Sequence, residues 1–460
     1  MTRARAGDFN PGAVRRLSRL AGVALAATTV ALALAAAGCG GSESPSGSIR
    51  LLVFGDPPEI DAYKTMIEAF SEQEPDIDVQ LIEASDRDDL IARLSTSLAG
   101  GSPPDLFLMN YRFYGQYAAR DVLEPLEGYV EDSDEFSAED FYPESLDAFR
   151  WNGTITCLPQ NISSLVVYYN RDLFERFGVP EPTDDMSWSQ FVYRAQQMTR
   201  DAQGAVVRGA DPDVPQANTA PAAIYGLGVE PTIIRFAPFV WSNKGELVDD
   251  DEHPTRFTLD SEASKSALQQ FFELRTVHGV VPPDVEVEAE DDETRFLNGR
   301  MAMFLESRRL VPALREAAEF DWDVAALPTL QDEASILHSD AYCMTKASNE
   351  KDAAWRFVEY ALGPEGATVI AKTGRTVPSL REVAESEAFL DPTQKPKNSR
   401  VFLDAIPTIQ NVPTVSTWPE IEDRAEPILE NGMYRAKPID EVVAEVDAAT
   451  RPLFARAEDG

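Results

Sequence analysis

Apolar and polar residues change period along the first part of the chain, and the changes predict alternating strands and helices. IRLLVFG, within residues 48–55, is a continuous apolar run that is typical of a buried strand. Ile60, Tyr63, Ile67 and Phe70 follow at spacings of three or four residues. Since such spacings place side chains on one face of a helix, the pattern predicts a strand followed by an amphipathic helix.

The same alternation is repeated twice more. Residues 79–83 predict a second strand, Ser85 with Asp88 predicts a helix start of the capping-box type, and LFLM at 106–109 predicts a third strand. This order indicates parallel strands with crossover helices, in which ligands bind beyond the carboxyl ends of the strands. The residues that this rule places on one rim are Gly55, Asp56, Asn110, Tyr111 and Arg112.

A second α/β region follows residue 157. Strands are predicted at 223–229, 321–328 and 338–348, and helices at 188–198 and 261–278. Residues 201–221 and the acidic, proline-led segment 282–293 are predicted to be loops.

The stretch CLPQNISSLVVYYN, residues 157–170, changes character halfway along. Its second half is β-branched and aromatic, as in a buried strand, whereas its first half carries Gln160, Asn161, Ser163 and Ser164. A strand can combine these properties if it leaves one packed sheet, crosses a cleft and enters another. The pattern therefore predicts two α/β lobes joined by a crossing strand, in agreement with a length of 460 residues.

Composition narrows the possible partners. Asp and Glu number 78 against 41 Lys and Arg, giving a formal net charge of −37. This balance argues against a nucleic-acid partner, because phosphate neutralisation needs a basic surface. An acidic, solvated exterior accounts for the charge.

The first 38 residues are typical of an export signal. Arginines precede the apolar run at 20–37, and small residues lead to AAAGC, which ends at Cys39. This ending resembles the bacterial lipobox, which implies cleavage before Cys39, acylation of its thiol and a polar tether over residues 39–48. We therefore expect an extracytoplasmic protein held by lipid on the outer face of a bacterial cell membrane.

If Cys39 carries lipid, Cys157 and Cys343 remain. They are either two buried free thiols or a disulfide, and an oxidising compartment favours the disulfide. Closing so long a loop is worth about 5 kcal/mol on the chain-entropy model. Two cysteines without a histidine cluster cannot form a closed zinc site.

Sequence motifs of enzymes are missing. His253, His278 and His338 are far apart and have no metal-ligand spacing, and no GxSxG, P-loop, GxGxxG or HExxH motif occurs. We expect neither catalysis nor a cofactor nor a metal. A lipid-anchored glycoside hydrolase remains the enzymatic alternative.

Five segments together resemble the family-1 extracellular solute-binding proteins, the maltose-binding-protein-like receptors of ABC importers. They are CLPQNISSLVVYYNRDLF, FVWSNKGELVDD, FLNGRMAMF, NEKDAAWRFVEYALGPEG and VPTVSTWPEIED. The resemblance covers residues 49–460 and implies an α/β fold of the two-lobe periplasmic-binding-protein-like type II class with interlobe crossing strands. One lobe is expected to comprise 49–160 and 340–400, and the other 161–339 and 401–460, with a third crossing near 400–412. Crossing strands side by side bring Cys157 close to Cys343.

The resemblance also implies ligand-contacting residues. Those expected in the cleft are Gly55, Asp56, Asn110, Tyr111, Arg112, Gln160, Asn161, Ser163, Ser164, Trp241, Ser307, Arg309, Arg375 and Trp418. Trp241 and Trp418 are candidate platforms for stacking on a sugar ring. Ser307, Arg308 and Arg309 stand where several sugar receptors place an aromatic residue, and guanidinium groups also suit carboxylate or phosphate.

The resemblance thus implies a monomeric receptor that binds an oligosaccharide or related carbohydrate and delivers it to ABC permease subunits. A receptor for glycerol-3-phosphate or another anionic polyol is the alternative.

Overall fold

The computed structural model describes residues 47–207 and 220–457. Its strands are β1 (Gly47–Phe54), β2 (Ile77–Ala84), β3 (Leu106–Asn110), β4 (Arg150–Trp151), β5 (Thr154–Ile155), β6 (Cys157–Pro159), β7 (Val166–Asn170), β8 (Arg200–Asp201), β9 (Ala222–Gly228), β10 (Met301–Glu306), β11 (Trp322–Ala325), β12 (Ser335–Ile336), β13 (Asp340–Met344) and β14 (Ile409–Gln410). Its helices are α1 (Pro57–Gln73), α2 (Arg87–Ala99), α3 (Tyr111–Ala118), α4 (Glu127–Glu131), α5 (Pro143–Asp147), α6 (Arg171–Phe177), α7 (Trp188–Met198), α8 (Ile233–Ser242), α9 (Glu262–Thr276), α10 (Asp284–Ala289), α11 (Asp292–Leu297), α12 (Val311–Ala317), α13 (Lys351–Leu362), α14 (Pro364–Lys372), α15 (Arg381–Ala384), α16 (Val401–Asp404), α17 (Trp418–Tyr434) and α18 (Ile439–Phe454). The predicted export signal and Cys39 lie outside the described residues.

The first sheet has the strand order β2-β1-β3-β13-β6. β1 pairs in parallel with β2 and β3, while β13 is antiparallel to β3 and β6. Leu51 to Phe54 of β1 are all buried, as expected of a central parallel strand covered on both faces. The carboxyl ends of β1, β2, β3 and β6 therefore meet at one edge, where β13 begins.

The second sheet has the order β11-β7-β10-β9-β8. β9 and β10 are parallel, and β7 is antiparallel to β10 and β11. The start of β7 lies beside the end of β10, because Val166 pairs with Glu306. The carboxyl ends of β9, β10 and β11 thus share an edge with the point where β7 enters.

The chain crosses between the sheets at the predicted stretch. Residues 160–165 leave β6 of the first sheet and enter β7 of the second, and residues 337–339 make the return into β13. The two crossings pair at Ser163 and His338, whose backbones exchange two hydrogen bonds of 2.9 Å. β12 and β14 form a separate two-stranded parallel sheet next to the return crossing.

The helices pack their predicted apolar faces on these sheets. Ile60, Tyr63 and Phe70 of α1 are buried, and α7 begins and ends where the sequence predicts. α17 packs on α18, α9 and α8 of the second region and also contacts α3 of the first.

Two local predictions are wrong. Segment 282–293 contains α10 and the start of α11 rather than only loop, because acidic residues in the first turn of both helices and the Asp291 cap of α11 favour a helix start. The cap of α2 is Asp86, which accepts a hydrogen bond from Asp89, and not Ser85.

Candidate functional site

Arg375 holds the loop that follows β1. Gly55 and Asp56 connect β1 to α1, and Asp56 is exposed. Nη1 of Arg375 donates a hydrogen bond to Oδ2 of Asp56 at 2.5 Å, and its Nε contacts the carboxylate of buried Glu59. Three of the predicted site residues therefore lie together, namely Gly55, Asp56 and Arg375. The charge of Arg375 is matched by the carboxylates of Asp56 and Glu59.

Gln160 is connected to the same cluster. The hydroxyl of Tyr63 lies 3.1 Å from Oε1 of Glu59 and 3.0 Å from Oε1 of Gln160. The backbone carbonyl of Gln160 accepts a hydrogen bond from Ser379. Gln160 thus positions the start of the crossing strand beside the loop after β1.

Asn110 and Asn161 hold Asp340 from two sides. Nδ2 of Asn110 donates to Oδ1 of Asp340 at 3.1 Å, and Oδ1 of Asn161 accepts from the Asp340 backbone at 2.8 Å. Oδ1 of Asn110 also caps α3 by accepting from the backbone of Arg112. These amides fix the edge of the first sheet and carry polar atoms to the crossing.

Ser163 and Ser164 lie in the middle of the crossing. Oγ of Ser163 accepts a hydrogen bond from the backbone of Arg308 at 3.4 Å, which links the crossing strand to the turn after β10. Ser164 is fully buried, and its hydroxyl has no hydrogen-bond partner within the part of the chain described.

Glu306 organises the edge of the second sheet. Its carboxylate accepts hydrogen bonds from Arg235 at 2.7 Å, Arg309 at 2.6 Å and the Ser307 backbone at 2.7 Å. Burial alone would raise the pKa of Glu306, but Arg235 and Arg309 outweigh it and hold the pKa at about 2. Arg309 also pairs with Glu293 at 2.9 Å, so its charge is matched.

Arg308 points away from this edge. It is buried, donates to the carbonyl of Gly374 at 2.9 Å and packs over the rings of Phe389 and Phe402. Of the two adjacent arginines, only Arg309 faces the predicted cleft.

Tyr111 and Arg112 start α3 and contact the C-terminal region. Nη1 of Arg112 lies 2.9 and 2.8 Å from the two carboxylate oxygens of Glu422 on α17. The hydroxyl of Tyr111 is buried and has no hydrogen-bond partner among the residues described. Arg112 connects the first sheet to an element packed on the second.

The two tryptophans are buried, which corrects the prediction that they are open stacking platforms. Trp418 has no exposed surface, and its ring centre lies 6.0 Å from that of Phe257 and 6.4 Å from that of Phe454. Trp241 is buried within α8. The ring of Trp418 therefore packs between α17, α18 and the chain before α9.

His338 lies between the two edges. Its Nε2 is 3.3 Å from Nη1 of Arg235, and burial, together with the charge of Arg235, lowers the pKa of His338 to about 3. Glu306 opposes this shift and Arg112 adds to it. Charged groups from both sheets therefore act on one side chain, at the point where the two crossings pair.

Arg87 is a residue of this cleft that the sequence prediction missed. Its guanidinium lies 5.4 Å from the ring centre of Phe54 and 5.6 Å from that of Phe113. Burial lowers the pKa of Arg87, Asp340 opposes this, and Arg112, Arg375 and Arg309 add to it. Within residues 47–207 and 220–457, no hydrogen-bond acceptor or carboxylate contacts Arg87.

The signal for Arg87 is the rule that already selected Asp56 and Asn110. Arg87 follows β2 as Asp56 follows β1, at the carboxyl end of a parallel strand. Asp340, Glu306 and His338 were also missed.

A cavity of about 820 Å³ opens beside the edge of the second sheet. It lies between the loop after β9, α10, α11 and α17. Glu293 and Glu230 line it, and they pair with Arg309 and Arg235 respectively. The cavity is therefore adjacent to the Glu306 cluster.

Cys157 and Cys343 form a disulfide, with their Cα atoms 4.4 Å apart in adjacent strands β6 and β13. Among the described residues, no group of three or more His, Cys, Asp or Glu side chains is placed to hold a metal ion. No helix in that part of the chain has the length and apolar character needed to cross a membrane.

Comparison with known proteins agrees with this architecture. Residues 65–397 match the family described as bacterial extracellular solute-binding protein. The maltotriose-binding protein of Pyrococcus abyssi is 21% identical over 351 residues, which are 74% of this chain and 69% of the relative.

Two solved structures have the same fold. The ABC substrate-binding protein Lmo0181 from Listeria monocytogenes, in complex with cycloalternan, has a TM-score of 0.78 at 24% identity, covering 89% of this chain and 99% of the other. UgpB from Mycobacterium tuberculosis, in complex with glycerophosphocholine, has a TM-score of 0.73 at 20% identity, with the same coverage of both chains. The predicted two-lobe periplasmic-binding-protein-like fold is confirmed, and the chain belongs to the bacterial extracellular solute-binding proteins.

Proposed function

We propose that this chain is the substrate-binding lipoprotein of an ABC importer and binds an oligosaccharide or related carbohydrate between the two sheet edges. One observation supports this most strongly. Side chains from both edges, among them Asp340, Arg375 and Arg309, act electrostatically on the guanidinium of Arg87, which has no ion-pair partner among the described residues. A ligand placed there can contact both lobes at once.

The chemistry of this cleft suits a polyhydroxyl ligand. A buried sugar hydroxyl that loses its hydrogen bond costs about 1–3 kcal/mol, so the site must supply donors and acceptors in fixed positions. Donors and acceptors are supplied together by two ion pairs, Arg375 with Asp56 and Arg309 with Glu306. Because each pair joins opposite charges, the two pairs add little net charge to the cleft. The relatives named for maltotriose and cycloalternan support the same ligand class.

Arg87 favours a second candidate, an anionic polyol such as a glycerol phosphate. Its guanidinium lacks a carboxylate partner within the described residues and can receive a phosphate or carboxylate oxygen. The neighbour solved with glycerophosphocholine shows a phosphodiester ligand on this fold. The prediction was that arginines in the cleft bind an anionic ligand. Because Arg309 and Arg375 are paired with carboxylates, we now assign this role to Arg87.

The mechanism that follows is a shift of population. A ligand that contacts both lobes binds the closed arrangement more tightly than the open one, and favours closure by that difference in affinity. The residues that bend are those of the crossings, 160–165 and 337–339. The closed receptor then docks on the permease, while acylated Cys39 keeps it at the outer face of the membrane as a monomer.

The test is a ligand panel on the purified chain, read by thermal shift and calorimetry. Maltotriose, cellobiose, trehalose and glycerol-3-phosphate are the probes. A ligand at 100 times its Kd should raise the free energy of unfolding by about 2.7 kcal/mol. At the same ligand concentration Arg87→Met should keep only about 0.4–1.4 kcal/mol of this gain, because its affinity is expected to fall about ten- to hundredfold. Arg356→Met, on the outer surface of α13, should retain the full gain. Absence of a shift with every probe, or release of sugar reducing ends over hours, would overturn the proposal.

A further inference from the structure

The cavity beside the second-sheet edge is strongly acidic. Seven carboxylates line it, from Glu230, Asp291, Asp292, Glu293, Asp423, Glu426 and Glu430. None of its other lining residues is basic. Pairing with Arg235 and Arg309 accounts for only two of the seven, Glu230 and Glu293, and Asp291 caps α11 through Thr294. The lining therefore carries an excess of negative charge around a space large enough for a ligand.

Asp292 is the one buried residue among these seven. The residue is 5% exposed, and its Oδ2 accepts a hydrogen bond from the backbone of Val229 at 3.0 Å. Its other oxygen, Oδ1, is buried and has no hydrogen-bond partner among residues 47–207 and 220–457. The hydroxyl oxygen of Thr232, which also lines the cavity, is buried and likewise has no partner in that part of the chain. Buried acceptors are normally satisfied, so these atoms indicate a donor supplied from outside the chain.

The raised pKa values of two lining carboxyl groups agree with a site that takes up a cation. Burial raises the pKa of Asp292 to about 7, with nearby Arg295 opposing the shift. Burial also raises the pKa of Glu426 to about 7, and the neighbouring charge of Glu422 adds to it. A positive charge bound in the cavity would lower both pKa values.

An organic cation fits this cavity better than a metal ion. The described residues hold no group of three or more side chains arranged for a metal, so the carboxylates are spread around the space. Val287, Leu297 and the ring of Tyr434 contribute apolar surface that suits the carbon skeleton next to an amine.

We propose that this cavity binds a protonated amine carried by the transported ligand, with Asp292 and Glu426 as its acceptors. The proposal rests on the proposed function and specifies its substrate class as an amine-bearing carbohydrate or polyol. Because Glu293 and Arg309 join the cavity wall to the Glu306 cluster, one ligand can place hydroxyl groups in the cleft and its amine in the cavity.

The experiment compares three disaccharides with the same β-1,4 linkage. Cellobiose carries a hydroxyl at carbon 2, the glucosamine disaccharide an ammonium, and its N,N′-diacetyl form a neutral amide. Calorimetry on the full mature chain should give at least tenfold tighter binding of the ammonium form than of the other two. In Asp292→Asn/Glu426→Gln this preference should fall to about one, while the exposed control Glu139→Gln should keep it.

A second measurement uses only the wild-type protein, so its result does not depend on whether a variant folds. With wild type, calorimetry near pH 6, where the amine is already protonated, in buffers of different ionisation enthalpy should show proton release from the carboxyl groups when the ammonium form binds, and none with cellobiose. Equal affinity for all three sugars, unchanged in the double variant, would overturn the inference and leave the proposed function intact. Binding of spermidine that depends on Asp292 without binding of any sugar would support the cavity and overturn the carbohydrate receptor. No binding by any amine would overturn the inference.

Discussion

Arg112 and Glu422 form a buried ion pair between α3, which follows the first sheet, and α17, which packs on the second. Their side chains are 11% and 7% exposed. Removing one partner leaves the other charge buried, so Glu422→Gln or Arg112→Met should lower the free energy of unfolding by about 3–5 kcal/mol. Urea unfolding of both variants measures this loss. The double variant Arg112→Met/Glu422→Leu should recover part of it, and single variants with wild-type midpoints would contradict the role of the pair.

Arg87 should behave in the opposite way. Since no acidic partner contacts it within the described residues, Arg87→Met should change unfolding by less than about 1 kcal/mol. A hydrogen bond from a charged donor to ligand is worth about 1.5–3 kcal/mol, so affinity for the ligand found in the panel should fall about ten- to hundredfold. Calorimetry of Arg87→Met beside Arg112→Met separates the two effects. An Arg87 variant that binds normally would remove this residue from the site.

The lowered pKa of His338 predicts that the protein becomes less stable as the pH falls. Its pKa is lowered to about 3 in the folded protein, whereas an unfolded histidine titrates near 6.5. Below about pH 6.5, His338 is therefore protonated in the unfolded chain but stays neutral in the folded protein until about pH 3. The contribution of His338 to stability should fall by up to about 1.4 kcal/mol per pH unit until about pH 3. Unfolding midpoints of wild type and His338→Gln between pH 4 and 7 measure the difference, and parallel profiles would argue against it.

The disulfide between Cys157 and Cys343 spans 186 residues. On the chain-entropy model, cross-linking so long a loop restricts the unfolded chain by about 5 kcal/mol, which is an upper bound. We expect Cys157→Ser/Cys343→Ser to unfold at a clearly lower temperature than wild type. Thiol titration of denatured, unreduced mature protein from which Cys39 has been removed should find no free thiol. Two reactive groups there would exclude the bond.

Trp418 should matter for stability and not for ligand contact. Because its ring is fully buried against Phe257 and Phe454, Trp418→Ala should cost about 3–5 kcal/mol of unfolding free energy. Trp418→Phe retains most of the apolar volume and should lose less. Ligand affinity measured well below the unfolding temperature should stay within a few-fold of wild type in Trp418→Phe. A hundredfold loss of affinity in that variant would restore the stacking role.

Periodicity and strand-end rules predicted much of the fold and one part of the site. The order of strands, the crossing at 160–165 and the position of Asp56 and Asn110 at one edge all depend on local pattern. Partner identity depends on contacts between distant parts of the chain, as between Asp56 and Arg375 or Arg112 and Glu422, and no local pattern encodes these. The same holds for Trp418, whose burial depends on Phe257 and Phe454.

The bond between Cys157 and Cys343 joins the outgoing strand to the returning one just before the chain leaves the first sheet. It fixes the register of β6 against β13 within the first sheet, so the outgoing and returning crossings leave that sheet at fixed positions relative to each other. Rotation about the few residues beyond that link is the freedom that remains. A single opening angle should then describe the unliganded ensemble in solution, and one distance label across the cleft would suffice to follow it.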